Sequence, residues 1–327
     1  FEEAVAGYFD SGYAVALNSG TDALVCALFA LGVRAGDEVI TPPNSFIAST
    51  AAIVHLGAKP VFVDVKADQN IDEALIETAI SEKTKAIMPV HLTGRMASMP
   101  EICEIARRHN LVVIEDAAQS AGSMLHGRPV GTWGNVGCFS AHPLKNLNAC
   151  GDAGFIITND ESVATKIRSI RNHGLIDRDT VEEFGVVSRM DTIQAAVLTF
   201  RLERLGQVIS KRRENVAVYR ELLNVDNVFH PDDAQGEDNS WHTFVIQVDR
   251  RDELRGYLMQ HGIETAIHYP VPIHLQPAAR GLGYKKGDFP VTEQQSKRIL
   301  TLPIHQHLTK EQLKRVASSV NEFFSCS

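Results

Sequence analysis

Residues 111–119 read LVVIEDAAQ: an apolar run delivers two acids, then two alanines and a glutamine. An uninterrupted apolar stretch this short is a buried strand, with no polar residue alternating to face water. Its end carries Asp116, and a carboxylate placed there must find a partner or meet a heavy desolvation cost. On the residues alone that partner is open. A core histidine, backbone amides, or the protonated ring nitrogen of a bound molecule would each serve.

Outward from this strand, further strands are expected over 14–17, 38–41, 58–65, 85–90 and 155–158. Helices are expected between them over 22–31, 46–55, 71–80, 100–109 and 164–171. Strands alternating with helices at this spacing specify an α/β fold with a mostly parallel sheet covered on both faces. Ligands of such sheets collect beyond the carboxyl ends of the strands. Thr21, Asp116, Gln119 and the segment 140–145 all fall there.

That segment belongs to the stretch 137–154, GCFSAHPLKNLNACGDAG, too rich in Gly, Pro and Asn to be buried strand or helix throughout. Gly151 and Gly154 read as a tight turn back into strand 155–158. Lys145 lies inside it, with Ser140 and His142 just ahead. If apolar neighbours exclude water, an ammonium there is costly and the neutral amine that forms a Schiff base becomes accessible. On this stretch alone a solvent-facing loop lysine is the better reading, and the rest of the chain must decide. At 18–21 the order Asn-Ser-Gly-Thr opens a helix, with Ser19 as cap and Asp22 at capping-box spacing. Gly20 lets an anion approach the backbone and Thr21 adds a hydroxyl, so capping and phosphate binding both suit it.

Composition narrows the function classes. A 327-residue chain with 44% hydrophobic residues supports a substantial core. Its net charge of -8 offers no excess of positive charge for a nucleic-acid backbone. The densest basic run, Lys211-Arg212-Arg213, lies in a long helix expected over 207–223 and reads as a solvated face. Five cysteines, Cys26, Cys103, Cys138, Cys150 and Cys326, form no CxxC pair. They suggest a reducing compartment and no structural metal. No apolar run is long enough to span a membrane, and cytoplasmic is the expected location.

The first domain is expected over 1–223. From 224 the composition turns polar, and a smaller α+β domain is expected over 224–327. Its elements are strands over 241–248 and 263–266 and helices over 251–261, 292–300 and 309–323. Residues 179–188 read as loop. The irregular piece 268–277 supplies His268, Tyr269 and His274, suited to a pocket wall or to structural links between helices.

Together these motifs resemble the DegT/DnrJ/EryC1/StrS family of sugar aminotransferases, which have the aspartate-aminotransferase fold. The resemblance covers NSGTDAL at 18–24, GDEVITPPNSFIAS at 36–49, GAKPVFVDV at 57–65 and EDAAQSAGS at 115–123. It continues through CFSAHPLKN at 138–146, GDAGFIIT at 151–158, RNHG at 171–174, SRMDTIQAA, GIETAIHYPVPIHLQPA and LTLPIHQHLT. It implies pyridoxal 5'-phosphate as cofactor, with pyridoxamine 5'-phosphate as the intermediate form. By position, Lys145 resembles the lysine that holds the cofactor and moves the proton, and Asp116 the carboxylate on the pyridine nitrogen. Phe46 matches the aromatic over the ring, Gln119 the residue beside the ring hydroxyl, and Gly20, Thr21 and Ser140 the phosphate cradle. His142, His268, Tyr269 and His274 become candidate substrate contacts.

The resemblance further implies L-glutamate as amino donor and a nucleotide-linked keto sugar as acceptor, in amino-sugar biosynthesis for lipopolysaccharide or a secondary metabolite. GDAG and HYPVPIHLQPA lean toward a 3-keto hexose. A homodimer with active sites at the subunit interface is implied as well. Two departures stand out. Val187 occupies a position where family members often carry an asparagine that reaches the neighbouring subunit's phosphate, and the chain begins where family members have further residues ahead. A cyclitol aminotransferase would share the same cofactor residues. A sensory relative without catalysis is a third reading, against which Lys145 and Asp116 are intact. Relatives that dehydrate sugars replace the lysine with histidine, and this chain does not.

Overall fold

A computed structural model describes residues 1–223 and 226–325. Seven strands form the main sheet in the order Tyr13–Leu17, Gly154–Thr158, Val136–Ser140, Val112–Asp116, Thr84–Ile87, Glu38–Thr41, Lys59–Phe62. Gly154–Thr158 runs antiparallel to both neighbours, and the remaining pairs are parallel. Alternation along each strand feeds two cores. Val113, Phe139, Phe155 and Ile157 face one side, while Ile114, Cys138 and Ile156 face the other against Leu24 and Ala27. Phe139 and Phe155 stack at 4.7 Å, and truncating either to alanine should cost about 3–5 kcal/mol.

Val136–Ser140 is a strand the sequence reading took into its turn-rich segment. The glycine responsible marks a close approach: a Cβ on Gly137 would lie 2.4 Å from the Cα of Gly131. The helix Gly20–Ala30 starts as expected, with Ser19 accepting from the amide of Asp22 at 3.1 Å. Residues 179–188, expected as loop, belong to a longer excursion that folds back through isolated bridges between Asn172 and Val187 and between Leu175 and Val181. Phe184 on this excursion is 98% exposed.

The C-terminal part of the chain packs the helices Arg251–Gln260 and Lys310–Ser325 around the antiparallel pair Phe244–Gln247 and Ile299–Leu302. Its core reaches back to Val216 and Tyr219 on the helix Leu205–Leu222. The expected junction at 223/224 touches residues outside the described set, as does Cys326. Residues 299–300 were read as the end of a helix. They open a strand because ILTL is buried on both faces, and apolar runs this short do not reveal their period. Residues 263–266 pair with the neighbouring strand only where Ala266 bridges Thr301. The four described cysteines are free. Among the described residues no helix is long and apolar enough to cross a membrane.

Two polar residues tie distant segments together, the first of them as a correction. Arg212, taken for part of a solvated face, is buried and donates to the carbonyls of Trp241 and His242 at 3.0 and 3.1 Å. Asp64, from the sheet side, accepts from the amides of Val291 and Thr292 at 2.9 and 3.0 Å and from the Thr292 hydroxyl at 2.8 Å. It thereby caps the helix Pro290–Arg298 of the C-terminal part. Gln295 and Gln247 add bonds to the carbonyls of Lys66 and Ala67.

Candidate active site

The end of strand Val112–Asp116 puts two neighbouring carboxylates on opposite faces. Glu115 is fully buried and accepts from the amides of Gly131, Trp133 and Gly134 at 2.7–2.8 Å and pairs with His91 Nε2 at 2.9 Å. His91 Nδ1 accepts the amide of Ala97 at 3.1 Å, which leaves the ring proton on Nε2. Asp116 has fewer partners: the Ser49 hydroxyl at 2.6 Å and the Ala118 amide at 3.1 Å. Burial pushes its pKa up, opposed by those two bonds and by the Lys145 charge. A carboxylate with two donors retains accepting capacity, and that capacity faces a cavity of about 390 Å3.

Lys145 lines the same cavity. Its backbone is set by a turn, its amide donating to the His142 carbonyl at 2.8 Å. Burial holds its amine below the usual lysine range, with Asp116 pulling the other way. No hydrogen bond to the amine is present among the described residues.

The third side of the cavity is a cradle of Ser19, Gly20, Thr21 and Ser140. A Cβ on Gly20 would lie 2.6 Å from the Ser140 Cβ, and one on Gly154 only 2.3 Å from the Ser19 carbonyl carbon. Only glycines permit this closeness. The result is a helix start with the hydroxyls of Thr21 and Ser140 beside it, suited to a phosphate.

Opposite stand Phe46, Gln119, His268 and Tyr269. Gln119 accepts the Thr93 amide at 2.8 Å, so its amide nitrogen must be the donor to the Tyr269 hydroxyl at 3.1 Å. The tyrosine therefore keeps its own proton for another partner, and burial, with Asp116 nearby, pushes its pKa up to about 12. The rings of Phe46 and Tyr269 lie 5.7 Å apart. His268 is held by Thr301 at 2.9 Å, and burial followed by the Lys145 charge lowers its pKa. His142 sits on the exposed rim, its Nδ1 accepting the Leu144 amide at 3.3 Å.

The cavity thus gathers Gly20, Thr21, Phe46, Asp116, Gln119, Ser140, His142, Lys145, His268 and Tyr269. His274 is not among its lining residues. Its ring is buried, 3.0 Å from Glu293 and 4.8 Å from the Phe289 ring. The sequence reading missed Ser49, on the helix Ile47–His55, and His242, which it placed inside a strand. For Ser49 a signal existed, since it closes the quoted motif at 36–49.

The donor set fits a flat ring that carries a basic nitrogen, an aldehyde and a phosphate. The description of the DegT/DnrJ/EryC1/StrS aminotransferase family matches residues 1–321. The chain is 43% identical to a pleiotropic regulatory protein of Geobacillus stearothermophilus, over 99% of this chain and 88% of that one. It is 41% identical to the dTDP-3-amino-3,4,6-trideoxy-alpha-D-glucose transaminase of Streptomyces venezuelae, over 99% of this chain and 86% of that one. Other relatives carry names of dTDP- and UDP-linked 3-amino-sugar transaminases. The solved structure of S. venezuelae DesV with a ketimine intermediate superimposes with a TM-score of 0.96 at 41% identity, covering 98% of this chain and 87% of that one. Further structural neighbours were solved in pyridoxal and pyridoxamine phosphate forms. A fold and a sequence shared nearly end to end lead to one conclusion: this chain belongs to the DegT/DnrJ/EryC1/StrS family and is a pyridoxal-phosphate-dependent sugar aminotransferase.

Proposed function

We propose that the chain moves an amino group from L-glutamate to a nucleotide-linked keto sugar, with a 3-keto hexose as the preferred acceptor. The observation that carries this is one cavity holding a desolvated lysine amine and a buried, under-satisfied aspartate. Pyridoxal phosphate, when bound, supplies the aldehyde that relays the amine and the ring that accepts electron density. Asp116 would hold the ring nitrogen protonated, and Gly20, Thr21 and Ser140 would hold the phosphate. Phe46 would cover the ring, with Gln119 beside its hydroxyl. Lys145 Nζ, its neutral amine favoured by burial, would take the α-proton of the donor and, in the acceptor half, deliver a proton to the carbon that receives the amine. The lean to a 3-amino product is supported by the names of the dTDP- and UDP-linked relatives.

A homodimer in the cytoplasm is part of this reading. Lys145 is the single Lys or Arg lining the cavity among the described residues, so a phosphate and a donor carboxylate have few cations to meet. Phe184, Val187, Ile193 and Phe200 are all more than half exposed, a surface suited to a second copy. Light scattering that found a fully active monomer would refute the dimer.

The acceptor is tested by loading the enzyme with pyridoxamine phosphate and offering 3-keto and 4-keto nucleotide sugars beside a free keto cyclitol. Return of the pyridoxal absorbance identifies the acceptor, and NMR fixes the position of the new amine. Fast reaction with the cyclitol alone would overturn the nucleotide-sugar reading. A regulatory reading is favoured by the name of the G. stearothermophilus relative, and turnover in this assay decides against it.

A further inference from the structure

The stretch 239–243 leads into the strand Phe244–Gln247 and is tied down at nearly every residue. The Ser240 amide donates to the Gly94 carbonyl at 3.1 Å and the Thr243 amide to the Thr93 carbonyl at 3.2 Å. Asn146 holds the Ser240 carbonyl at 2.9 Å, and buried Arg212 holds the next two carbonyls. Gly94 permits the approach, since a Cβ there would lie 2.7 Å from the Trp241 nitrogen and 2.8 Å from that of His242. Between these anchors Trp241 takes φ 50°, a left-handed conformation rare for a bulky residue. Strain sustained this firmly is a reason to ask what it positions. It positions His242, whose ring lines the cavity shared by Lys145 and His268.

His242 Nδ1 is enclosed and has no hydrogen-bond partner among the described residues. Nε2 is therefore the ring nitrogen left for a ligand. Burial, then the charges of Lys145 and Arg212 and the nearby His268, keep this ring neutral. A neutral imidazole is a poor match for a carboxylate, which favours a charged donor. It is well matched to an uncharged hydroxyl or keto oxygen.

We propose that His242 contacts the acceptor substrate directly, its Nε2 hydrogen-bonding a sugar hydroxyl beside the carbon that receives the amine. This rests on the reading of the acceptor as a keto sugar. The lining it shares with Lys145 places the histidine near the reacting carbon, and a sugar presents hydroxyls there whereas glutamate presents none, which assigns His242 to the acceptor half of the cycle.

Two polar variants read the geometry. In His242→Gln the side-chain amide reaches the place of Nε2, whereas in His242→Asn it stops short. Each half-reaction is followed by stopped-flow absorbance, and acceptor binding by calorimetry. Asn should slow the acceptor half about a hundredfold. It should weaken acceptor binding about tenfold and leave the glutamate half within about threefold. Gln should recover at least about tenfold of the lost rate. The proposal is overturned if both variants keep the wild-type acceptor rate, or if Asn slows both halves alike with a lowered melting temperature. If wild-type enzyme reacts only with a free keto cyclitol, the nucleotide-sugar reading falls, and the same variants assayed with the cyclitol still decide the role of His242.

Discussion

Glu115 and Asp116 are consecutive residues at one strand end, and the two faces of the sheet treat them in opposite ways. Glu115 meets three backbone amides and a histidine, so its charge is spent on holding segments 91–97 and 131–134 to the strand. Asp116 meets a hydroxyl and one amide, and burial raises its pKa. On the proposed function, one carboxylate contributes stability without chemistry, and the other costs stability and is kept for chemistry. Under-satisfaction, more than burial, separates a functional buried acid from a structural one.

The hardest break of this contrast removes the cation facing Asp116. Lys145→Ala should abolish transamination, and borohydride reduction of the loaded wild-type enzyme should fix the cofactor on Lys145, as peptide mapping would show. Trapping on another lysine would remove the assignment. Asp116→Asn should slow both half-reactions by about 10²–10⁴-fold, because a neutral pyridine is a poorer electron sink. Stability should move the other way. Asp116 has a folded pKa above its unfolded value, so its folded state binds the proton more tightly and stability is lost as pH rises through that window. Cofactor-free Asp116→Asn should therefore match wild type near pH 4 and melt higher at neutral pH. Melting curves across that range check it, and a lower melting point at neutral pH would contradict it.

Glu115→Gln is the mirror experiment. An amide nitrogen would replace an accepting oxygen and face donors, at a cost of about 2–4 kcal/mol in chemical denaturation. Turnover per folded molecule should stay within about tenfold. A large loss of turnover at unchanged stability would merge the two roles. The smallest effect belongs to Val187, half exposed and bridged to Asn172. Val187→Asn should slow cofactor dissociation by roughly threefold if it adds one hydrogen bond across a dimer interface. An unchanged dissociation rate would sever that position from the phosphate.

The site's floor was readable because strand ends in a parallel sheet aim at one place, so Thr21, Asp116, Gln119 and Lys145 could be gathered from their spacing. Its wall was not. His242 owes its position to Gly94, far back in the chain, and to Arg212, whose place in a basic run looks solvated. His274 is the converse: its composition suggested a pocket, but its ring turns inward to Glu293. Gly137 counts into the turn-rich stretch 137–154 because a glycine pressed by another backbone and a glycine in a turn look alike in sequence.

The helix cap supplied by Asp64 has a consequence for how molecules come and go. Opening the C-terminal part away from the sheet would strip three donors from a buried carboxylate, an event on the scale of local unfolding. As long as that cap holds, the mouth of the cavity, rimmed by exposed His142 and Leu144, is expected to keep its width. Substrate selection would then be a matter of which outlines pass a rigid frame. Small-angle X-ray scattering of free and substrate-saturated protein should give superimposable curves, with no contraction on binding.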